Sequence, residues 1–266
     1  MLFFNKMDIL THTLCGVAAG TVLAGFSRKS PKYKLSVIAV SGVGGALPDM
    51  DAISLWSKFD GTFGAIFQLN HSGKEIYTSK FWYSHHAFFH SVLAGILFSL
   101  LLGFLIYVLE RKSETKILYS YKKYFLLLAG FFSGFILHLL CDMPTPSAAW
   151  GGVAFFFPSK TYIGGAGQIW WWNNYDIFLI MLSVIALNFI LLFIPKLRKL
   201  TLLVFLLGFA FTFYQIKARA VDFNQKEYRT NYEKSENKSK EIQREILGEK
   251  AYNMMKKFDS LLPFYF

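Results

Sequence analysis

Long apolar runs separated by short polar clusters dominate this chain, at residues 10–26, 35–47, 87–109, 124–141, 177–195 and 200–216. Most approach the roughly 17–25 residues with which an α-helix crosses the hydrocarbon of a bilayer. The pattern predicts an all-α, polytopic membrane bundle of about six transmembrane helices over residues 1–216, followed by a polar, helical C-terminal tail over 217–266. The second run is short and carries Gly42, Gly44 and Gly45. It reads either as a tilted span extended by its neighbours or as a re-entrant piece buried in protein. In the tail, Glu241, Arg244 and Glu245 have the spacing of a solvated helix, and 261–266 turn apolar again. A helix docked on the membrane face and a solvated extension are both open.

Composition agrees with the pattern. Hydrophobic residues make up 54% of the 266, aromatic residues 18% and charged residues only 17%, with a mean hydropathy of +0.36. A soluble domain of this size could not bury so much apolar surface in one core. The first run is read as a retained span and not as a signal peptide, because Arg28 and Lys29 follow it and only Lys6 precedes it. Cys15 and Cys141 fall inside proposed spans, which implies small buried apolar residues and no disulfide framework, with Cys141 as a soft metal ligand the lesser alternative. The net charge of +11 is spread over loops and a tail with nearly matched acids, and no nucleic-acid module accompanies it. Attraction to anionic lipid is the simpler account, so the expected partner is membrane lipid and not nucleic acid.

The basic residues orient the bundle. One side holds Arg28, Lys29, Lys32 and Lys34, then Arg111, Lys112, Lys116, Lys122 and Lys123, then Lys196, Arg198 and Lys199. The opposite connections hold only Lys58, Lys74, Lys80 and Lys160, with Lys6 before the first span. The excess of positive charge marks the first side as cytoplasmic. The long basic tail speaks against this, but it is balanced by glutamates and short loops weigh most.

The same parity sorts the polar residues at the ends of the runs. His12 opens the first run, Asp49 and Asp51 follow the second, His85, His86 and His90 open the third, and His138 and Asp142 close the fourth. All fall on the side away from the cytoplasm. Ionisable groups at membrane depth are costly, and imidazole mixed with carboxylate is a donor set for divalent metals. A metal site at the extracytoplasmic end of the bundle follows.

Spacing supports it: His138 and Asp142, and likewise His86 and His90, stand four apart and would share a helix face. His85 can join only by preceding the first turn, with Ser84 as a cap. Asp49 and Asp51 alternate after Pro48, which ends the second span and puts both carboxylates on one side of an extended or turning segment. Ser91 and Thr145 are candidate hydroxyl partners of the ligand carboxylates.

The ordered motifs Asp8-x-x-Thr11-His12-x-Leu14-x-Gly16, Leu47-Pro48-Asp49-x-Asp51, His85-x-x-x-x-His90-Ser91 and His138-x-x-x-Asp142-x-x-Thr145-Pro146 resemble those of a bacterial inner-membrane family described as membrane-bound metal-dependent hydrolases, related to a LexA-regulated inner-membrane protein. The resemblance spans about residues 8–158. It implies a helical, multi-pass protein of the bacterial inner membrane in which His12, Asp49, Asp51, His85, His90, His138 and Asp142 are metal residues. Where the family shows Arg-Gly after the first histidine of the third motif, this chain has His86-Ala87, which shifts expected ligation toward His86. Ser147-Ala148 replaces the glycine expected after Thr-Pro.

The donor set suits one or two divalent ions, zinc first and manganese second. With an open position such a site would lower the pKa of bound water toward neutrality, with Asp51 as a bridging ligand or base. The expected function is hydrolysis of a phospholipid or other amphiphilic phosphate or carboxylate ester. The alternatives are a structural metal tying helices together and a metal or proton transporter, against which the near-absence of charge deeper in the spans speaks. Trp150, Trp170, Trp171, Trp172, Tyr162 and Tyr175 in the loop 143–176 read as an aromatic belt, with a lipid access groove as the alternative. Gly151, Gly152, Gly164, Gly165 and Gly167 mark an irregular, mobile loop.

Overall fold

The computed structural model describes residues 7–110 and 116–261, without the side chains of Met7 and Asp8. Lys6, Arg111, Lys112 and the apolar end at 262–266 therefore lie outside the described residues, as does the Asp8 side chain of the first motif. Helices α1 (Met7–Phe26) and α2 (Pro31–Ala46) precede a folded connection containing the short α3 (Gly73–Thr78). Then follow α4 (Val92–Glu110), the short α5 (Ile117–Lys123), α6 (Phe125–Asp142), α7 (Tyr175–Phe193) and α8 (Thr201–Lys217), and after them α9 (Lys226–Thr230) and α10 (Tyr232–Leu261). Among the described residues the β-structure is two isolated bridges, Pro146 to Ala166 and Val153 to Ile163.

Five stretches are long and apolar enough to cross a membrane, covering α1, α4, α6, α7 and α8. The sixth, α2, has 16 residues and at 1.5 Å per residue rises about 24 Å. It does not turn back. Its buried face, Val37, Ile38, Ser41, Gly42, Gly44 and Gly45, lies between α1 and α6, and the small residues are what let three backbones meet. A Cβ on Gly134 would overlap the Ser41 carbonyl oxygen, and one on Gly45 would overlap the carbonyl of His12. The re-entrant alternative is thereby replaced by a helix running continuously beside α1 and α6, its C-terminal end level with His12.

Apolar clusters hold the bundle, among them one of Val37 with Leu127 and Leu128 between α2 and α6. Ala94 of α4 packs with Phe131, Phe135 and Leu139 of α6, and Cys15 and Ala18 of α1 pack with Met181, Val184 and Ile185 of α7. A buried hydrogen bond from the Asn188 amide to the Thr21 hydroxyl, 2.8 Å, joins α7 to α1 in the same layer. The outward residues of α8, such as Leu203, Leu206 and Leu207, remain exposed, as lipid-facing side chains should.

The tail is docked. Tyr252 and Met255 of α10 pack with Tyr175 and Phe178, and Leu10 and Leu14 of α1 adjoin them. Arg219 pairs with the buried Asp176 carboxylate at 2.6 Å, and the Gln243 amide donates to its other oxygen at 2.9 Å. A buried charge held by a guanidinium and an amide is a specific anchor, because removing one partner leaves the charge uncompensated. The chain bends at Gly248, where φ is 73°.

Candidate metal centre

Side chains from four separate stretches meet at one end of the bundle. α1 supplies His12, and α6 supplies His138 and Asp142 from its last turns. Pro48 opens a 3-10 helix, Pro48–Leu55, that carries Asp49 and Asp51 directly off the end of α2. His85, His86 and His90 come from the turns just before α4. His12 Nε2 lies 3.3 Å from Asp142 Oδ1. His138 Nε2 is 3.2 Å from Asp142 Oδ2 and 3.5 Å from Asp49 Oδ1. His90 Nε2 is 3.5 Å from Asp142 Oδ2 and 3.8 Å from Asp49 Oδ1.

The hydrogen bonds decide which imidazole atoms face inward. His138 Nδ1 donates to the Gly45 carbonyl at 2.7 Å, and His86 Nδ1 to the Gly152 carbonyl at 3.0 Å. A carbonyl only accepts, so both Nδ1 atoms carry protons and both Nε2 atoms are lone pairs in the neutral ring. Asp51 does the same for two more rings. Its Oδ1 takes His85 Nδ1 at 2.6 Å and its Oδ2 faces His90 Nδ1 at 3.1 Å. Asp51 thus stands behind the histidines, in the position of an orienting carboxylate.

Several local expectations change. His86 and His90 do not share a helix face, since α4 begins at Val92 and not at residue 87; His86 instead adopts φ 63°, the left-handed region. That conformation is costly for a side chain larger than glycine and is found where surrounding structure enforces it. Here the Gly152 loop does so, accepting from the His86 ring while Ala154 N donates to the His86 carbonyl at 2.8 Å. Gly152 itself sits at φ 118°, and a Cβ there would overlap the Ile163 carbonyl. The glycine-rich loop is accordingly folded over the site, not irregular for its own sake.

Ser84 accepts from Phe81 N, whereas Ser91 caps α4 by accepting from Ala94 N at 3.1 Å. The hydroxyls of Ser91 and Thr145 bond the carbonyls of Phe88 and Asp142, not the ligand carboxylates. The loop aromatics form no simple belt: Trp150 and Trp170 are buried. Trp150 forms a wall against His85 and His86, and Tyr77, which no sequence signal singled out, stacks on His85 with ring centroids 4.4 Å apart. Cys15 and Cys141 are free, their sulfurs 3.5 Å apart.

Electrostatics fit a cation. Among the described residues, every ion-pair partner of Asp49, Asp51 and Asp142 is a histidine, with no lysine or arginine among them. Burial opposes charge on Asp49, yet His138, His90 and His12 outweigh it and keep its carboxyl below the usual carboxylate range. Burial opposes charge on Asp51 too, and His85 with His90 holds it down at about 2. Burial disfavours protonated His90, but the carboxylates, Asp51 foremost, push it up to about 10. Burial, reinforced by His85 and His90, keeps His86 well below the ordinary imidazole range and so neutral. Three carboxylates against imidazoles alone leave a local demand for positive charge.

The donor set fits a divalent ion. Potential ligand atoms lie within 4.8 Å of one another in three sets, His85 with His86 and His90, His12 with Asp49 and His138, and His90 with His138 and Asp142. His90 and His138 approach Nε2 to Nε2 at 3.3 Å. A proton on one of them would make this a hydrogen bond, and a zinc ion would fit the same spacing, since Zn–N bonds of about 2.0–2.1 Å in a tetrahedron separate two nitrogens by roughly that amount. Because His90 and His138 each serve two sets, the arrangement accommodates one ion or two neighbours.

Fold and site together define a polytopic helical membrane protein with a buried His/Asp cluster able to hold a metal. A family model described as YdjM inner membrane protein matches residues 7–221, and the chain belongs to that family. It is an inner-membrane protein, as the motifs implied, and the matched stretch holds all eight side chains of the cluster. No curated protein and no solved structure matches the chain.

Proposed function

We propose that this protein is a membrane-embedded metal-dependent hydrolase that cleaves a phosphate or carboxylate ester of an amphiphile, with its site on the extracytoplasmic side. One observation carries the reading: four imidazole Nε2 atoms, of His85, His86, His90 and His138, are freed for ligation by Nδ1 contacts to carbonyls or to Asp51, beside the carboxylates of Asp49 and Asp142. That is more than a four-coordinate structural ion needs. When bound, a divalent ion supplies Lewis acidity and brings the pKa of water near neutrality.

The chain's own residues do the rest. Asp51 fixes the rings of His85 and His90, and the Gly45 and Gly152 carbonyls fix His138 and His86. Asp49, with its side chain 19% exposed against 0% for His90 and His138, is the edge at which substrate and water reach the cluster. Trp150 and Tyr77 shield the far side.

The test uses full-length protein purified in detergent and stripped with a chelator, then supplied with zinc or manganese and mixed membrane lipids. Product release that requires the added ion, and that His138→Ala and Asp142→Ala each lower by at least 100-fold, supports the reading. Bound metal with no product from lipids or from simple phosphate and carboxylate esters would favour a structural ion.

A further inference from the structure

Beside the metal cluster, a cavity of about 160 Å³ lies between α1, α6, α7 and α8. Its walls are apolar, with Cys15, Leu137, Met181, Phe205 and Phe209 among them, and its upper end is formed by His12 and Thr145. His12 therefore belongs to both spaces, contacting Asp142 on one side and the cavity on the other. At the opposite side Leu140, Phe209 and Phe213 line the cavity and are exposed. They lie on helices apolar enough to face lipid, so the cavity opens toward hydrocarbon between α6 and α8.

Thr11, Gln168 and Asn174 also line the cavity, and α8 adds a further polar residue, Thr212. Thr212 is only 9% exposed, and its hydroxyl has no hydrogen-bond partner among the described residues. A hydroxyl in a hydrophobic wall costs free energy unless something accepts or donates there. A hydrocarbon chain alone would not satisfy it; the ester or glycerol oxygen at the root of an acyl chain would. A cavity of about 150 Å³ holds one benzene ring, so this space takes the first carbons of one chain, not of two.

We propose that this cavity is the acyl-chain site of a membrane lipid, entered sideways between α6 and α8, with the chain root at Thr212 and the headgroup passing His12 to the metal cluster. The proposal rests on the hydrolase reading only for what happens to the headgroup. It names the substrate class as a lipid taken directly from its leaflet, one chain held by protein and the remainder left in the bilayer along α8.

The full chain is reconstituted in vesicles of phosphatidylethanolamine and phosphatidylglycerol, doped with a phosphatidylglycerol whose acyl chain bears a diazirine near its carbonyl end. After irradiation, labelled peptides are mapped by mass spectrometry. Labelling of Cys15, Met181 and Thr212 should exceed that of the outward Leu203 and Leu206 at least fivefold, and Thr212→Trp, which fills the cavity, should erase the excess while bound metal is retained. Even labelling of groove and outward residues in the unaltered protein overturns the proposal, whether or not the variant folds; so does an excess that survives in a metal-loaded Thr212→Trp protein. Groove labelling without hydrolysis would sink the hydrolase reading alone, and hydrolysis of soluble esters without groove labelling would sink the acyl-chain site alone.

Discussion

Asp51 shows how much a single residue's role depends on which atom faces where. Its Oδ1 is hydrogen-bonded to His85 Nδ1 and its Oδ2 faces His90 Nδ1, so in the proposed site it acts on a metal through those rings. Carboxylates in that position typically change metal affinity by about 10–100-fold. Asp51→Asn keeps the size and loses the charge. We expect it to weaken metal binding by about that factor, measured by competition against a chelator of known affinity, while His138→Ala, which deletes an inward nitrogen, lowers occupancy much further. Equal loss in the two variants would make Asp51 a direct ligand. His86 is the complementary case. Burial keeps it neutral, and its Nδ1 donates to the Gly152 carbonyl, which leaves Nε2 as the lone-pair nitrogen of the ring.

Among elements, α2 carries the arrangement. Its small face lets α1 and α6 close on it, which brings the Gly45 carbonyl to His138 and delivers Asp49 and Asp51 from its end. Gly134→Ala should push α2 away from α6. Overpacking of this kind costs about 1–3 kcal/mol, to be read as a lower thermal midpoint, and retracting the Gly45 carbonyl should release the His138 ring and reduce bound metal in parallel. A lower midpoint with unchanged metal content would separate packing from the site. The i,i+4 pair His138 and Asp142 was legible from spacing because α6 is regular through its last turn. The third motif was not: spacing implies a shared face only on a helix, and residues 84–91 are turns whose shape is dictated by a loop some sixty residues later.

For the whole molecule, the distribution of lysine and arginine over the short loops predicts that the cluster faces away from the cytoplasm. A membrane-impermeant maleimide should label Ser159→Cys in intact cells and leave Lys32→Cys unlabelled until the membrane is opened; both positions are exposed. The reverse pattern would turn the site toward the cytoplasm and change which leaflet supplies its substrate. The docked tail belongs to the same scale. Arg219, Gln243 and Asp176 form a buried polar anchor whose members are scattered over 67 residues, and charged residues in a polar stretch carry no mark that tells an anchored helix from a solvated one.

The run lengths of apolar residues, the side on which each run ends and the spacing of its polar termini settled that this chain is a helical membrane protein with imidazoles and carboxylates gathered at one end, because those properties follow from hydrophobic thickness and helix geometry alone. Tertiary structure decided what the gathered groups do to one another. The carbonyls of Gly45 and Gly152, the turn that aims His86 and the retreat of Asp51 behind two rings all depend on backbone atoms meeting across distant segments, and backbone carbonyls are identical in every residue, so no side-chain pattern can announce them.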